Sequence, residues 1–295
     1  LNTMAMVQAV VLPCAIFTGS LIMLSFSVRH HHVGPVAFMI VCGFLVSLCF
    51  AHKAYVLRHR AAEGEAVEPS WYMFLAVTCL VAATGGLLLG NSNFSQTMSQ
   101  YYDLVGMGVG LDVDPGAAPG QRHMDASRIE FVPGTVVMEN LSLSFKDTNL
   151  YCVAPIAVGN RSTPPASYDY FAVGINCCSA GEGELAARFW CGSDNGQARG
   201  GLRWMGDRYY FGLAIQQAQA AYHYAVHNPV LFTWTQDPVG QVDAMRTAGK
   251  QFVVHWAVVH CIIQSILVLI LAAGYSPAGS EMMRITVSGV ASGDH

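Results

Sequence analysis

The chain has 295 residues, 53% of them hydrophobic and only 12% charged, with a formal charge of −4. So mild a charge implies no nucleic-acid partner, and the hydropathy argues against one or two ordinary soluble domains. Four apolar runs, at about 4–28, 33–57, 72–91 and 252–275, frame a long and mostly polar insert between the third and the fourth. A bilayer core of about 30 Å needs about 20 apolar residues in helical form, and each run meets that length. Inside hydrocarbon every backbone N–H and C=O needs a partner within the chain, which makes each run a helix.

The first helix carries Gln8 and Pro13, and the proline predicts a gentle kink. The connection Arg29-His30-His31-His32 reads as a tight polar turn at the membrane surface; its histidines are also the residue type for metal binding or pH sensing. The second helix ends on His52, Lys53 and Tyr55, with a lysine and an aromatic suited to the interface. Basic residues in short loops mark the cytoplasmic or equivalent side, so Lys53, Arg58 and Arg60 place the second connection inside. Four spans then put both termini inside and the insert outside. The linker at 63–70 is acidic, holds Pro69 and should be exposed, and Trp71 and Tyr72 mark the next interface. The third helix ends in Gly85-Gly86-Leu87-Leu88-Leu89-Gly90, small residues that let a neighbouring backbone come close. The chain opens on Leu1 without a signal peptide of ordinary form, leaving room for an upstream segment.

The insert is expected to open with a short helix at 95–105 and a loop over 106–120, where Gly and Pro crowd. From 128 to 158 the pattern turns to short strands. Leu141-Ser142-Leu143-Ser144-Phe145 alternates with period two, and Val136-Val137-Met138 and Cys152-Val153 are strand-like. A helix is expected over 207–226. Phe211, Ile215, Ala218, Tyr222 and Ala225 fall on one stripe, and Gln216, Gln219, His223 and His227 on the other. Leu231-Phe232-Thr233-Trp234 reads as an interfacial or core strand, and Asp237-Pro238 starts a segment leading into the fourth helix.

Cys14, Cys42, Cys49, Cys79 and Cys261 lie in the apolar runs as small hydrophobes. Cys152, Cys177, Cys178 and Cys191 lie in the insert, and an even number there reads as two disulfides in an oxidising space. Bonding the neighbours Cys177 and Cys178 to each other would be strained. That leaves Cys152 with one of the two and Cys191 with the other. A four-cysteine zinc site would need the paired CxxC spacing, which is absent. Asn140-Leu141-Ser142 and Asn160-Arg161-Ser162 fit the glycosylation pattern; Asn93-Phe94-Ser95 fits too but lies very near the third helix.

His223 and His227 stand four apart and would hold a metal if Asp207 or Asp237 supplied a third ligand. No glutamate sits beside the first histidine, so the metalloprotease pattern fails and a solvated polar face is the plainer account. His255 and His260 in the fourth span, and His52 near the end of the second, are candidate ligands for haem iron or chlorophyll magnesium. A spacing of five keeps His255 and His260 off one face, so the leading expectation is no cofactor. There is no GxSxG, P-loop, dinucleotide fingerprint or HExxH. The spans hold no Asp, Glu or Arg of the kind that marks an ion path. No enzyme, channel or pump is expected. The aromatics Trp190, Trp204, Tyr209, Tyr210, Phe211 and Trp234 are candidates for partner contacts, with core packing as the alternative.

Four spans, a small first loop and a large disulfide-bearing second outer loop resemble the tetraspanin layout. Cys177-Cys178 resembles that family's Cys-Cys-Gly motif, with Ser179 where the glycine stands and with Cys152 ahead of the pair. The likeness is an analogy of architecture. The stretches MDASRIEF at 124–131, YCVAPI at 151–156, YDYFAVGINCC at 168–178, LAIQQAQAAY at 213–222 and FTWTQDP at 232–238 are similar to a family of four-span membrane proteins of algae and related protists. That resemblance implies a fold and a compartment rather than an activity.

The reading is a membrane all-α four-helix bundle with an α+β disulfide-bonded extramembrane domain between helices 3 and 4. Helices 1–3 fill residues 1–91, the domain 92–250, and the fourth helix and tail 251–295. The function expected is a non-enzymatic organiser or accessory subunit. Its outer domain would bind partner proteins, and its spans would pack against lipid, other membrane proteins or further copies of itself in a large complex. The alternative is a haem- or chlorophyll-binding subunit of a photosynthetic or respiratory membrane complex. A third possibility, a sensor or receptor, would place a small-molecule pocket in the outer domain.

Overall fold

A computed structural model describes residues 3–63, 70–159, 164–179, 188–192 and 198–274. Helices α1 (Thr3–Ser25), α2 (Ser27–His31), α3 (Val33–Ala62) and α4 (Ser70–Asn93) come first, and a π-helical turn at Phe94–Met98 joins α4 to α5 (Ser99–Gly106). Strands β1 (Gly108–Val113), β2 (Ala126–Phe131), β3 (Thr135–Val137), β4 (Leu143–Lys146), β5 (Leu150–Val158), β6 (Tyr170–Ile175) and β7 (Gly200–Arg203) follow. Helix α6 (Tyr209–Tyr222), strand β8 (Val230–Thr235) and helix α7 (Pro238–Gly274) complete the order. Two compact units result: residues 1–99 with 246–295, and residues 100–245.

Among the described residues, four stretches are long and apolar enough to cross a membrane: Met4–Ser25, Val33–Ala62, Ser70–Gly106 and Pro238–Gly274. Helix α4 lies against both α1 and α3. Its glycines set the approach. A Cβ on Gly86 would fall 2.9 Å from the Phe17 carbonyl oxygen, and one on Gly90 would fall 2.6 Å from Leu24 Cβ. The two helices therefore pack backbone against backbone, as the small-residue pattern predicts. Phe17, Leu21, Ala82 and Val253 form one buried cluster, and Ala9, Leu75 and Val268 another, so α1, α4 and α7 share a core. The outward surfaces remain apolar: Val41, Leu45 and Leu48 on α3, and Val258, Ile262, Ile266 and Ile270 on α7 are all exposed.

Proline chemistry adds a polar tie inside this core. Pro13 has no N–H, so the Ala9 carbonyl lacks the donor that a helix supplies from four residues on. Gln264 of α7, itself buried, donates its Nε2–H to that carbonyl at 2.7 Å. A second tie runs from Asn93 Nδ2 to the Gly249 carbonyl at 3.2 Å. At Gly249 a side chain would collide with Met98, its Cβ 2.3 Å from the sulfur.

The second unit is a mixed sheet in the order β1-β2-β7-β8-β6-β5-β3, with β4 also paired to β5. Pairs β1–β2 and β6–β8 are parallel and the others antiparallel. Alternation sorts the side chains. Phe131, Cys152, Ala154, Tyr170, Ala172, Phe232 and Trp234 fill one core. Val153, Phe171, Val173 and Leu231 fill the other, against Phe211, Ala214 and Ile215 of α6. Both faces of β6 are covered, which is why 170–174 reads as an unbroken apolar run rather than an alternating one.

Four expectations need correction. The loop expected over 106–120 contains β1, in which Gly110 is a packing concession: a Cβ there would lie 3.1 Å from Val113 and 3.2 Å from His123. Helix α6 stops at Tyr222, short of 226, because His223 adopts a left-handed φ of 58°. The chain beyond it is tied to the segment before β6, with Tyr168 N–H donating to Ala225 O at 2.9 Å and Tyr224 packing on Tyr168. Helix α7 begins at Pro238, well before 252. Asp237 caps it by accepting from Gly240 N–H at 2.7 Å, and its first turns bury Val242 among Leu104 and Leu202. The turn at 29–32 is largely helical, as α2.

Candidate functional site

The four insert cysteines meet on one face of the sheet. Cys152, in β5, faces Gly174 across β6 and bonds Cys178, with Cα atoms 5.9 Å apart. Cys177 bonds Cys191, with Cα atoms 5.0 Å apart. This resolves the two pairings that the sequence leaves open. The sulfurs of Cys152, Cys177 and Cys191 lie within 4.8 Å of one another, so the two bridges sit side by side. Gly174 makes that possible, since a Cβ there would come within 2.3 Å of the Cys177 sulfur and 2.7 Å of the Cys191 sulfur. Each bridge closes a loop, of 26 and 14 residues, worth on the order of 3 kcal/mol in the chain-entropy view.

The bridges clamp two short segments into a ladder. Trp190 N–H donates to Cys177 O at 3.0 Å, Ser179 N–H to Arg188 O at 2.9 Å, and Cys178 pairs with Phe189. Strand alternation then decides what faces outward. Phe189 and Cys191 are buried, and Trp190 between them is 52% exposed. A large aromatic is thus fixed at the surface by two covalent bonds beside it.

The other tryptophans are placed differently. Trp234 is 6% exposed and packs 5.9 Å from Phe131 in the core, so it is not a surface contact residue. Trp204 is half-buried, stacks edge-on to Phe211 at 5.2 Å and donates its indole N–H to Asp207 O at 3.1 Å. Of the remaining aromatics, Phe211 is buried under the sheet and Tyr209 is exposed.

The histidine pair is not a helical pair. His223 is the left-handed cap after α6, and His227 lies beyond it, its backbone N–H bonded to Asp169 Oδ1 at 3.0 Å. Asp207 accepts from Tyr209 N–H at 3.0 Å and Asp237 from Gly240 N–H, so both carboxylates serve as local caps. Among the described residues, the one set of three ligating side chains close enough to share an ion is Cys152, Cys177 and Cys191, whose sulfurs are in disulfides. His52 and His255 are exposed on their helices, and His255 lies edge-on to Trp256 at 5.7 Å. The His260 ring stacks on Phe17 at 4.1 Å, and its Nε2 is buried without a hydrogen-bond partner. Of the glycosylation candidates, Asn140 is exposed in a 3-10 turn, and Asn160 lies outside the described residues. Asn93 is buried.

Sequence reasoning missed a polar centre around Asp169. This side chain is 3% exposed. It accepts from Gly120 N–H at 2.9 Å through one oxygen, and from His227 N–H at 3.0 Å and Asn228 N–H at 3.4 Å through the other. Three backbone donors from two loops are satisfied by one carboxylate. The neighbouring Tyr170 hydroxyl lies 2.7 Å from His123 Nδ1. Burial, and the Asp169 charge beside it, push the Tyr170 phenol up to about 12. Burial and the nearby Arg122 lower His123, with Asp125 opposing. Arg203 is buried beneath them, 5.8 Å over the Phe232 ring, and burial lowers its pKa as well. The only signal in the sequence was an acid inside an apolar run.

Comparison with protein-family models, with curated proteins and with solved structures found no match.

Proposed function

We propose that this chain is a four-pass integral membrane protein that works without catalysis, as an organiser or accessory subunit. Its disulfide-bonded domain stands on the extracellular or lumenal side, and both termini lie on the cytoplasmic or equivalent side. Support for insertion comes from the outward rows of Val, Ile and Leu on α3 and α7, which water would penalise at roughly 25 cal/mol per Å². Support for orientation comes from the exposed Lys53, Arg58 and Arg60 in the last turns of α3. Two disulfides in the domain fit an oxidising compartment. On that side the exposed Asn140 is a glycosylation acceptor.

The observation that carries the partner-binding role is Trp190, half-exposed and held in place by the adjoining bridges. A rigid aromatic loses little entropy on docking and is the residue type that anchors interfaces. Partners are other membrane proteins or further copies of the chain. Purification in mild detergent, followed by cross-linking, should give a defined higher-order species that Trp190→Ser diminishes without changing the melting temperature. A wild-type protein that stays a lone monomer would end this reading.

A second reading is favoured by one atom, the unpartnered Nε2 of His260. In it the spans carry haem or chlorophyll, with His260, His255 or His52 as ligand. Visible absorption bands that vanish in His260→Ala would promote it, and a colourless protein would remove it.

A further inference from the structure

We infer that the cavity where α1 turns through α2 into α3 binds the headgroup of an anionic phospholipid, with Arg29 as its anchor. This rests on the membrane reading above. The cavity measures about 500 Å³, and Leu24 and Val36 form its buried apolar wall. Val33, 74% exposed, stands at its rim. Arg29 and Asn91 bring polar groups to the same space. The Arg29 guanidinium carbon sits 4.4 Å over the Phe94 ring, which also lines the cavity, so the side chain is held in place by a cation–π contact. Its Nη1 is nevertheless buried with no hydrogen-bond partner. A buried guanidinium N–H without an acceptor is costly, because that donor has left water unpaired.

An occupant that relieves this must bring an anionic oxygen to Arg29 and an apolar body to Leu24, Val33 and Val36. A phosphate carried on acyl chains has both parts, and guanidinium–phosphate pairing is charge-assisted. Free phosphate would answer Arg29 but leave the apolar wall uncovered. A zwitterionic lipid brings an ammonium beside its phosphate, which weakens the pairing with a cation. The site therefore selects a lipid whose headgroup carries net negative charge.

The test uses the full chain in detergent, with native mass spectrometry of added phosphatidylglycerol, phosphatidylcholine and inorganic phosphate. Phosphatidylglycerol should bind about tenfold more tightly than phosphatidylcholine, the scale of one charged hydrogen bond. Arg29→Gln should abolish that preference. Val33→Trp, a change at an exposed position that fills the mouth, should reduce binding of phosphatidylglycerol while leaving the melting temperature alone. Equal binding of the two lipids would overturn the proposal, as would a preference that survives Arg29→Gln. Competition by inorganic phosphate as strong as by the lipid would overturn it too, by assigning the cavity to the free anion. Alkaline carbonate extraction of membranes from cells that express the chain separates the two readings: release of wild-type protein refutes insertion, whereas retention without lipid selectivity refutes only the headgroup site.

Discussion

Replacing Gln264 by leucine should destabilise the helical unit by about 1–2 kcal/mol, and most of that loss should disappear when Pro13 is replaced by alanine as well. The reasoning is local. Pro13 removes the N–H that would reach the Ala9 carbonyl, and Gln264 supplies a substitute donor at 2.7 Å from a position 255 residues away in sequence. Leucine has similar bulk, so Gln264→Leu removes the donor with little change in packing, and the buried carbonyl is orphaned. An orphaned group costs about 1–3 kcal/mol in a protein interior, and interhelical bonds within membranes average less, about 0.6 kcal/mol. Pro13→Ala restores the intrahelical N–H, which then satisfies Ala9 whether or not Gln264 is present. A double-mutant cycle measures this coupling: wild type, both single variants and the double variant, unfolded at equilibrium in mixed micelles. The coupling should be near 1 kcal/mol. If the two substitutions add within about 0.3 kcal/mol, the amide is not serving the proline's carbonyl and the account is wrong.

Alanine at Gly90 meets Leu24 Cβ at 2.6 Å, while alanine at Gly34 meets nothing within 4 Å. Micelle unfolding should therefore show Gly90→Ala destabilised by about 1–3 kcal/mol and Gly34→Ala unchanged or slightly better; equal effects would dismiss the close α1–α4 approach. Gly174→Ala should prevent the two bridges from coexisting, so thiol counting under denaturing conditions should find free Cys177 or Cys191 that the wild type lacks. Full oxidation with native stability would contradict the side-by-side geometry. His123 titrates below its ordinary 6.5, so the unfolded chain takes up the proton more readily. The stability it contributes is complete above the unfolded value and is lost as pH falls through that value toward the folded one. The melting temperature should accordingly fall on acidification below about pH 6.5, and less steeply in His123→Gln. A slope unaffected by that substitution would remove His123 from the account.

Composition makes the four long helices legible, because runs so poor in charge have few other fates. The glycine spacing at Gly86 and Gly90 is equally readable, since only a close neighbour uses it. What escaped were features decided by distant partners. β1 carries the glycines of a loop, yet Gly110 is small because Val113, His123 and Ile129 crowd it. The helix expected to run through 226 has an apolar stripe long enough to continue. It ends because Tyr224 finds Tyr168 and Phe171 at the sheet, a tertiary contact that local periodicity does not encode. The start of α7 was hidden for the opposite reason: Asp243, Arg246 and Lys250 make its first turns too polar to read as a span.

Anomalies in the sequence still point at these long-range pairs, one member at a time. A proline inside a span announces a carbonyl without a donor, and a glutamine inside another span announces a donor without a local acceptor; Pro13 and Gln264 answer each other through Ala9. An acid immediately before an apolar strand announces unpaired N–H groups elsewhere, and Asp169 meets three. The same logic separates the tryptophans. Trp234 shares its strand face with Phe232, two residues away, and both are buried. Trp190 alternates with Phe189 and Cys191, which both point inward, so the same period-two rule that buries Trp234 turns Trp190 to the surface. An exposed tryptophan between two inward-facing neighbours, locked by the bridge at Cys191, is a rigid anchor rather than an unfilled place in the core, and this makes it the first residue to mutate in any search for a partner.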